Sequence, residues 1–306
     1  MKNQWYFIIN PHSGKGEGFQ LWKTLLPILK ASDVLFSFGF SEYHTHTIEL
    51  VETQYQKGIR QFIGLGGDGT INEIVNGIFR SQQFSLSTPC TLGLFPIGTG
   101  NDWIKNHQAL TLENCIERLS TPHRAFHDVG LVSLPNGHTP HYFINVAGGG
   151  LDGHVAQEIE NLVQNGKRNS FSYLKGTLLA LFKYHAPMGT ITIDNQEQFK
   201  GEILLTAASI GKYFGSGMLI SPKALFDNGI LDITLVKDDS NWIILPHLGK
   251  LFNGKIEAAP FVEKFHSKSV TVTSNSKMPV QADGENLGLH YTFTFSVLKH
   301  AIFVLQ

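Results

Sequence analysis

Three times in the first hundred or so residues a short apolar run ends in a glycine-rich bend: "IINPHSGKG" at 8–16, "GLGGDGTINEIVNGI" at 64–78 and "FPIGTGNDW" at 95–103. Few folds accommodate that repetition. The runs "WYFIIN" (5–10), "VLFSFGF" (34–40), "QFIGLGG" (61–67) and "TLGLFPIG" (91–98) read as buried strands. Amphipathic stretches near 17–30, 45–57, 70–80 and 111–119 read as the helices between them. Strand–helix alternation predicts a parallel sheet covered on both faces, and such sheets collect ligands at their strand C-termini. All three bends fall on that edge.

The bends suit an anion. Gly66, Gly67 and Gly69 permit positive φ and let backbone N–H groups approach closely, and the helix expected from about Thr70 presents its positive end there. Asp68 inside such a turn is electrostatically awkward, so a nucleotide-borne Mg²⁺ is the natural mediator. Taken alone, the stretch is equally well read as a tight strand–helix turn in which Asp68 and Thr70 compete as caps. Recurrence with Ser13 and Thr99 in the companion bends shifts the balance toward phosphate binding. Lys15 gives "SGKG" a P-loop look, but neither GxxxxGK[ST] nor a GxGxxG after the first strand is present.

From about residue 127 the texture changes to alternating strands punctuated by "PNG" and "DNQ": "HDVGLVSLPNGHTPHYFINVAGG", "GTITIDNQEQFKGEILLTAAS", "GILDITLVK" and "KSVTVTS". Helices are expected near 151–163 and 170–184, within a mainly antiparallel second domain. At 306 residues the chain has room for two such domains. With 16% charged residues and a formal net charge of -1, it lacks a nucleic-acid-coating surface. Cys90 and Cys115 form no CxxC pattern, which fits a reducing compartment. Apolar runs such as "LLALF" are far too short to span a bilayer, and no cleavable leader pattern opens the chain, so a cytoplasmic location is expected.

"NPHSG", "GGDGTINE" and "PIGTGND", in this order, resemble the signature set of the diacylglycerol kinase-like lipid kinases, the family that includes bacterial lipid kinases and sphingosine kinases. "FINVAGGGLDGHVA", "SPKALFDNGILDI" and "ADGENL" stand where that family has its second-domain motifs, so the likeness covers most of the chain. GGDGT alone is shared with NAD kinases and phosphofructokinases; the PxGTxND companion and the late DGE narrow the match. The resemblance implies an α/β nucleotide-binding, kinase catalytic domain over 1–126, completed by 291–306, and a β-sandwich lipid-substrate domain over 127–290. It implies ATP as co-substrate with Mg²⁺, and a lipid alcohol as acceptor. Asn10, Pro11, His12, Ser13 and Gly14, then Gly66, Gly67, Asp68, Gly69, Thr70, Asn72 and Glu73, then Gly98, Thr99, Asn101 and Asp102 are expected to line the nucleotide site. Ser41 stands where relatives usually carry a threonine that reaches the nucleotide.

Phosphoryl transfer to an alcohol needs a base for the acceptor proton. Asp283 and Glu285 flank Gly284, and alternate residues of an extended chain point to one side, so both acids are expected to face a cleft. By resemblance Asp283 is the base or orients the hydroxyl, with Glu285 in support; which of the two takes the proton stays open. A polar type I or II turn is the plainer reading of "DGE" by itself. In "ALFDNGIL", relatives often carry two acids before the glycine at a structural Mg²⁺ held partly by backbone carbonyls. Here Asn228 replaces one, which weakens a site at Leu225, Asn228 and Ile230; a plain turn serves equally.

A stripe of Phe171, Leu174, Leu178, Leu181 and Phe182, flanked by Lys167, Arg168, Lys175 and Lys183, suits either a core face or transient docking at the inner membrane surface. The 14 histidines include "HTH" but no HExxH, and read as structural or surface groups. The leading expectation is an ATP-dependent lipid kinase, with no nucleic-acid partner. An NAD-kinase-like phosphotransferase and a nucleotide-binding regulatory protein without catalysis are the alternatives.

Overall fold

The computed structural model describes residues 4–82, 89–98, 100–135, 137–155, 184–239 and 241–306. The chain divides into two units, Met1–Val129 with Lys299–Gln306, and Gly130–Leu298.

The first unit opens with strand β1 (Trp5–Ile9), every residue of which is buried, and helix α1 (Glu17–Lys30). β2 (Phe36–Phe40), α2 (His46–Gln56), β3 (Gln61–Gly66), α3 (Asp68–Gln82), β4 (Thr91–Pro96) and α4 (Cys115–Ser120) follow. β1 pairs parallel with β2 and β3, and β3 pairs parallel with β4. β1, β3 and β4 are continuous apolar runs because both faces are covered, whereas β2, expected to be buried, is half-exposed because it forms the edge of the sheet. On one face Phe7, Ile9, Ile63, Leu65 and Phe95 pack with Trp22, Leu25 and Leu29, the apolar stripe of α1. α3 starts at Asp68, two residues before the expected Thr70, because Gly67 O accepts both Thr70 N (3.0 Å) and Ile71 N (3.3 Å).

The second unit is antiparallel wherever its strands pair. β5 (Arg124–Ser133) enters it and pairs through Gly130–Val132 with β6 (His141–Phe143). β7 (Val146–Gly150), β8 (Met188–Ile193) and β9 (Gln196–Ser209) come next, then the short β10 (Tyr213–Phe214) and β11 (Met218–Leu219). β12 (Leu231–Lys237), β13 (Val262–Ser267), β14 (Ser269–Ala282) and β15 (Glu285–Leu305) complete the set. The strand order is β13-β12-β9-β7-β14-β15, with β8 against both β9 and β14. The tail of β15 belongs to the first unit, where Phe303 and Val304 pair parallel with Thr91 and Leu92 of β4.

Residues 151–155 are helical; the rest of the helices expected near 151–163 and 170–184, with the whole Phe171–Phe182 stripe and its basic flanks, lies outside the described residues, apart from Tyr184. Strand β13 and the helical turns Asn241–Ile244, Leu245–Asn253 and Ile256–Ala258 had no sequence signal assigned to them. "DNQ" is the turn of a β8–β9 hairpin: Asp194 and Asn195 have φ of 51° and 61° between the paired Ile193 and Gln196. Adjacent positive φ values are what a two-residue type I′ turn requires.

The glycines of "FINVAGGGLDG" serve close packing. A Cβ on Gly148 would overlap the Asp152 carboxylate, one on Gly149 would overlap the Phe293 ring, and one on Gly153 would sit 2.5 Å from Pro279 O. The second unit also holds a half-buried cation beside a buried acid. Lys264 Nζ donates to Thr234 Oγ1 (2.7 Å), Ser221 Oγ (3.1 Å) and Ile220 O (3.3 Å), and pairs with Asp232 and, at 3.5 Å, with Glu257. Removing one partner of such a pair strands a desolvated charge. Lys264→Met is therefore expected to cost about 3–5 kcal/mol in denaturant unfolding, and Lys264→Met with Asp232→Leu to recover much of that loss. Equal losses in the single and double variants would show that the ion pair is not the source.

Candidate active site

The bends after β1, β3 and β4 meet at one edge of the first unit's sheet. Asn10 N donates to Leu65 O (3.0 Å), Ile97 N to Gly66 O (2.8 Å), and Ser13 Oγ to Ile97 O (3.2 Å). Asp68 is the strongest tie. Its Oδ2 accepts Asp102 N and its Oδ1 accepts Trp103 N, both at 3.0 Å, so one carboxylate clamps the GGDGT bend to the GTGND bend. The acid needs no cation to account for its presence: backbone N–H groups supply the positive partner. Burial raises the Asp68 pKa from its ordinary value, and the two backbone bonds oppose the rise.

The other expected nucleotide residues divide by where their side chains point. Gly14, Lys15 and Gly16 all have positive φ (59°, 60° and 100°), which turns this bend sharply into α1. Asn10 Oδ1 accepts His12 N (3.1 Å) and Asn10 O accepts Ser13 N (3.3 Å), so Asn10 organises the bend around Pro11 while His12 stays exposed. Gly66 leaves room for the buried Thr70 side chain, and Gly67 lies against Ile97 O and Asn101. Gly69 is exposed, and Gly98 has a φ of 115°. Asn101 Nδ2 closes its own bend on Gly98 O (2.9 Å). Asp102 is buried and pairs with Lys105 Nζ at 2.6 Å. Thr99 lies outside the described residues.

Three more of the expected residues have side-chain bonds within the first unit. Asn72 is buried, and its Oδ1 accepts Asn76 Nδ2 (3.0 Å) one helical turn on. Glu73 Oε1 accepts Thr45 N (3.0 Å), tying α3 to the loop after β2, where Thr45 has a φ of 71°. Ser41 is buried, and its hydroxyl donates to Ile9 O (3.4 Å) at the C-terminal end of β1. Helix periodicity and strand register, which a motif does not carry, decide these orientations.

Behind the GTGND bend sits a group that sequence reasoning passed over. The Trp103 ring lies tilted against His107 (4.6 Å between ring centroids, 48° between planes), whose ring centroid is 5.1 Å from that of His127. Trp103 Nε1–H donates to His127 Nε2 (3.2 Å), and His127 Nδ1–H donates to the Asp128 carbonyl. Only a neutral, Nδ1-protonated imidazole satisfies both bonds. Burial holds His127 down to about 4; burial, then the neighbouring His127, holds His107 down to about 2. The fully buried Asp128 carboxylate accepts His300 N (2.7 Å). The one signal in the sequence was an acid and a histidine inside an otherwise apolar strand run, "FHDVGLV".

In the second unit "ADGE" closes the β14–β15 hairpin. Ala282 pairs with Glu285, and Asp283 and Gly284 have φ of 48° and 89°, a two-residue turn of the type I′ kind rather than type I or II. Asp283 and Glu285 are therefore not alternate residues of one extended strand, because the chain reverses between them. Asp283 folds onto the start of β7: Oδ2 accepts Ile144 N (2.8 Å), and Oδ1 accepts Asn145 N (3.0 Å) and Val146 N (2.9 Å). Asp283 N returns a bond to Val146 O (2.9 Å). Three backbone N–H donors thus hold this carboxylate against the start of β7. Glu285, half-buried, begins β15.

At the other expected metal position Asn228 Oδ1 accepts Ile230 N (2.9 Å), and Gly229 has a φ of 76°. The Asn228 side chain thus closes its own turn, and Leu225 is exposed.

The histidine pair makes stability pH-dependent. Unfolded histidines titrate near 6.5 and the native ones well below, so as pH falls past 6.5 the unfolded chain takes up protons that the native cluster refuses. Stability present above pH 6.5 is then lost progressively toward about 4. Asp152, which burial raises to about 6, works in the opposite direction below that value. Melting curves of the wild type and of His127→Gln, which keeps an acceptor for Trp103, should therefore converge as pH drops below 6.5; a constant separation would remove the histidine from the pH response.

Residues 4–132 match the family model "Diacylglycerol kinase catalytic domain", and residues 145–306 match "YegS C-terminal NAD kinase beta sandwich-like domain". The diacylglycerol kinase of Staphylococcus saprophyticus is 28% identical over 294 residues, covering 93% of this chain and 90% of that one. A protein of Shewanella frigidimarina named "Probable lipid kinase YegS-like" is 32% identical over 247 residues, covering 78% of this chain and 74% of its own. The crystal structure of a diacylglycerol kinase from Bacillus anthracis shares the fold with a TM-score of 0.73 at 21% identity, covering 100% of this chain and 97% of that one. With both parts of its length matched and the bends of its signature motifs gathered at one sheet edge, the chain belongs to the diacylglycerol kinase-like lipid kinase family.

Proposed function

We propose that the chain is an ATP-dependent lipid kinase that moves the γ-phosphate of ATP to a hydroxyl of a diacylglycerol-like or related lipid. The observation that carries this reading is the meeting of the bends after β1, β3 and β4, held by Asp68, Ser13 and backbone bonds at one sheet edge. Glycines there leave the backbone open to an anion, and the N–H groups of Asp68 and Gly69 precede the first bonds of α3, which begin at Thr70 N. Asn10 to Gly14, Gly66 to Thr70 and Gly98 to Asp102 form the nucleotide-binding rim in this proposal. Asn72, Glu73 and Ser41 support it from behind.

Asp68 suits a Mg²⁺ carried in on the nucleotide. Its two oxygens keep lone pairs beyond their two amide bonds, and Mg²⁺ at such sites commonly rests on one or two carboxylates plus phosphate oxygens. Bound there, the ion supplies charge neutralisation for the transferred group. A second ion at Leu225, Asn228 and Ile230 forms no part of the proposal, since Asn228 Oδ1 serves its own turn. Glu285 takes the acceptor proton, and Asp283 anchors the turn that presents it, because three backbone N–H donors hold its carboxylate against the start of β7.

A lipid acceptor is met at a bilayer, so peripheral contact at the cytoplasmic membrane surface belongs to this reading. No helix among the described residues is long and apolar enough to cross a membrane.

The test is transfer of radiolabelled γ-phosphate to a panel containing diacylglycerol, phosphatidylglycerol and a sphingoid base, with NAD as a control acceptor. Label is expected in a lipid; label in NAD alone would overturn the proposal. Glu285→Gln is expected to lower kcat by roughly 10²-fold or more while leaving the KM for ATP near its wild-type value. Asp283→Asn is expected to lower turnover too, together with a stability loss of about 1.5–3 kcal/mol for the bonds it weakens. Asp68→Ala should raise the KM for Mg-ATP and lower the melting temperature. An unchanged ATP dependence in that variant would detach Asp68 from the nucleotide.

A further inference from the structure

Behind the Asp283–Gly284 turn, buried polar groups form a chain with one direction. Gln281 is the next-to-last residue of β14 and is 5% exposed. Its Oε1 accepts Gly284 N (2.9 Å), the amide at the centre of the turn, and its Nε2 donates to Asp152 Oδ2 (2.9 Å). Asp152, 9% exposed, sits in the helical segment 151–155, and its other oxygen accepts Gly153 N (2.8 Å). The empty Cβ position of Gly148, which pairs with Gln281 in the β7–β14 ladder, is the space the Asp152 carboxylate fills.

The orientation of a side-chain amide is normally a matter of its surroundings, and here the surroundings leave no choice. An ionised carboxylate only accepts. Gln281 must therefore offer Nε2 to Asp152, which leaves Oε1 as the group facing Gly284 N. Reversing the amide would set two acceptors against each other at Asp152 and two donors against each other at Gly284.

We propose that Asp152 and Gln281 are positioning residues for phosphoryl transfer: the charge of Asp152 orients the Gln281 amide, which holds Gly284 and so sets the direction in which the chain leaves the turn at Glu285. This rests on the reading of Glu285 as the group that takes the acceptor proton. It adds two side chains to the machinery that neither the motif nor the turn itself identifies. Misplacement of a reacting group by about 1 Å can cost roughly 10²-fold in rate, so a lost bond at Gly284 is enough to register.

Swapping the polarity tests it. In Asp152→Asn the new amide keeps its oxygen on Gly153 N and turns an NH₂ toward Gln281. Gln281 then reverses and loses Gly284. In Gln281→Glu two carboxylates face each other. In the double variant, the amide introduced at position 152 donates to the carboxylate introduced at position 281, whose second oxygen accepts Gly284 N, and every bond has a donor and an acceptor again. At about pH 8, where Asp152 is ionised, each single variant is expected to lower kcat by 10- to 100-fold with little change in the KM for ATP, and the double variant to return within about 3-fold of wild type. Amide hydrogen exchange at Gly284, followed in the intact protein, is expected to accelerate in each single variant and slow again in the double one. Singles with wild-type kcat and protection, or a double variant as impaired as the singles, would overturn the proposal. Should the singles fail to fold, the double variant alone decides: wild-type-like folding and turnover support the relay, and failure overturns it. If the wild type phosphorylates no lipid, the functional reading fails, while the Gly284 exchange pattern still reports whether the relay sets the turn.

Discussion

A carboxylate that accepts backbone N–H bonds from a distant segment joins loops that side-chain packing would leave loose, and each unit of this protein uses one. Asp68 takes the N–H groups of Asp102 and Trp103; Asp283 takes those of Ile144, Asn145 and Val146. Such charge-assisted bonds are roughly twice as strong as neutral ones, and the charge is satisfied without a cationic side chain. Beside the Asp68 clamp, Gly69 and Gly98 keep open space where a Cβ would stand. The acids most conspicuous in the motifs thus set the geometry of these bends.

Glycines play two separate parts. In the first unit they let the chain bend at positive φ, as at Gly14, Gly16 and Gly98. In the second unit Gly148, Gly149 and Gly153 make room for the Asp152 carboxylate, the Phe293 ring and the Pro279 carbonyl. The run of three glycines there forms the end of β7, every residue of which is buried. The buried histidines behind Trp103 complete the support of the GTGND bend. Their neutral state follows from burial and from a tautomer fixed at both ring nitrogens.

Much of the first unit was legible because its signal is local. Buried parallel strands are continuous apolar runs, the helices between them are amphipathic, and the positions of β1 to β4 lie within two residues of the expected runs at each end. The direction of individual side chains was not legible. Asn72 and Glu73 share a motif with Asp68, but the helical period turns Asn72 onto Asn76 and carries Glu73 to the loop after β2. The "DGE" acids illustrate the same limit: an extended chain would align them, whereas Asp-Gly prefers two consecutive positive φ values and reverses the strand between them. Asp152 lies in the "FINVAGGGLDGHVA" motif, but its pairing with Gln281, 129 positions away, left no trace.

By itself the sequence determined the order of strands and helices in the first unit, the glycine bends at their ends and the family to which the motifs belong, because periodicity, turn chemistry and motif spacing are properties of neighbouring residues. Tertiary structure alone decided which acids clamp loops, which hydroxyls and amides face inward, and which buried groups support the turn at Asp283. Those outcomes depend on backbone donors and empty Cβ positions contributed by segments far apart in the chain, and no local pattern encodes a donor that arrives from elsewhere.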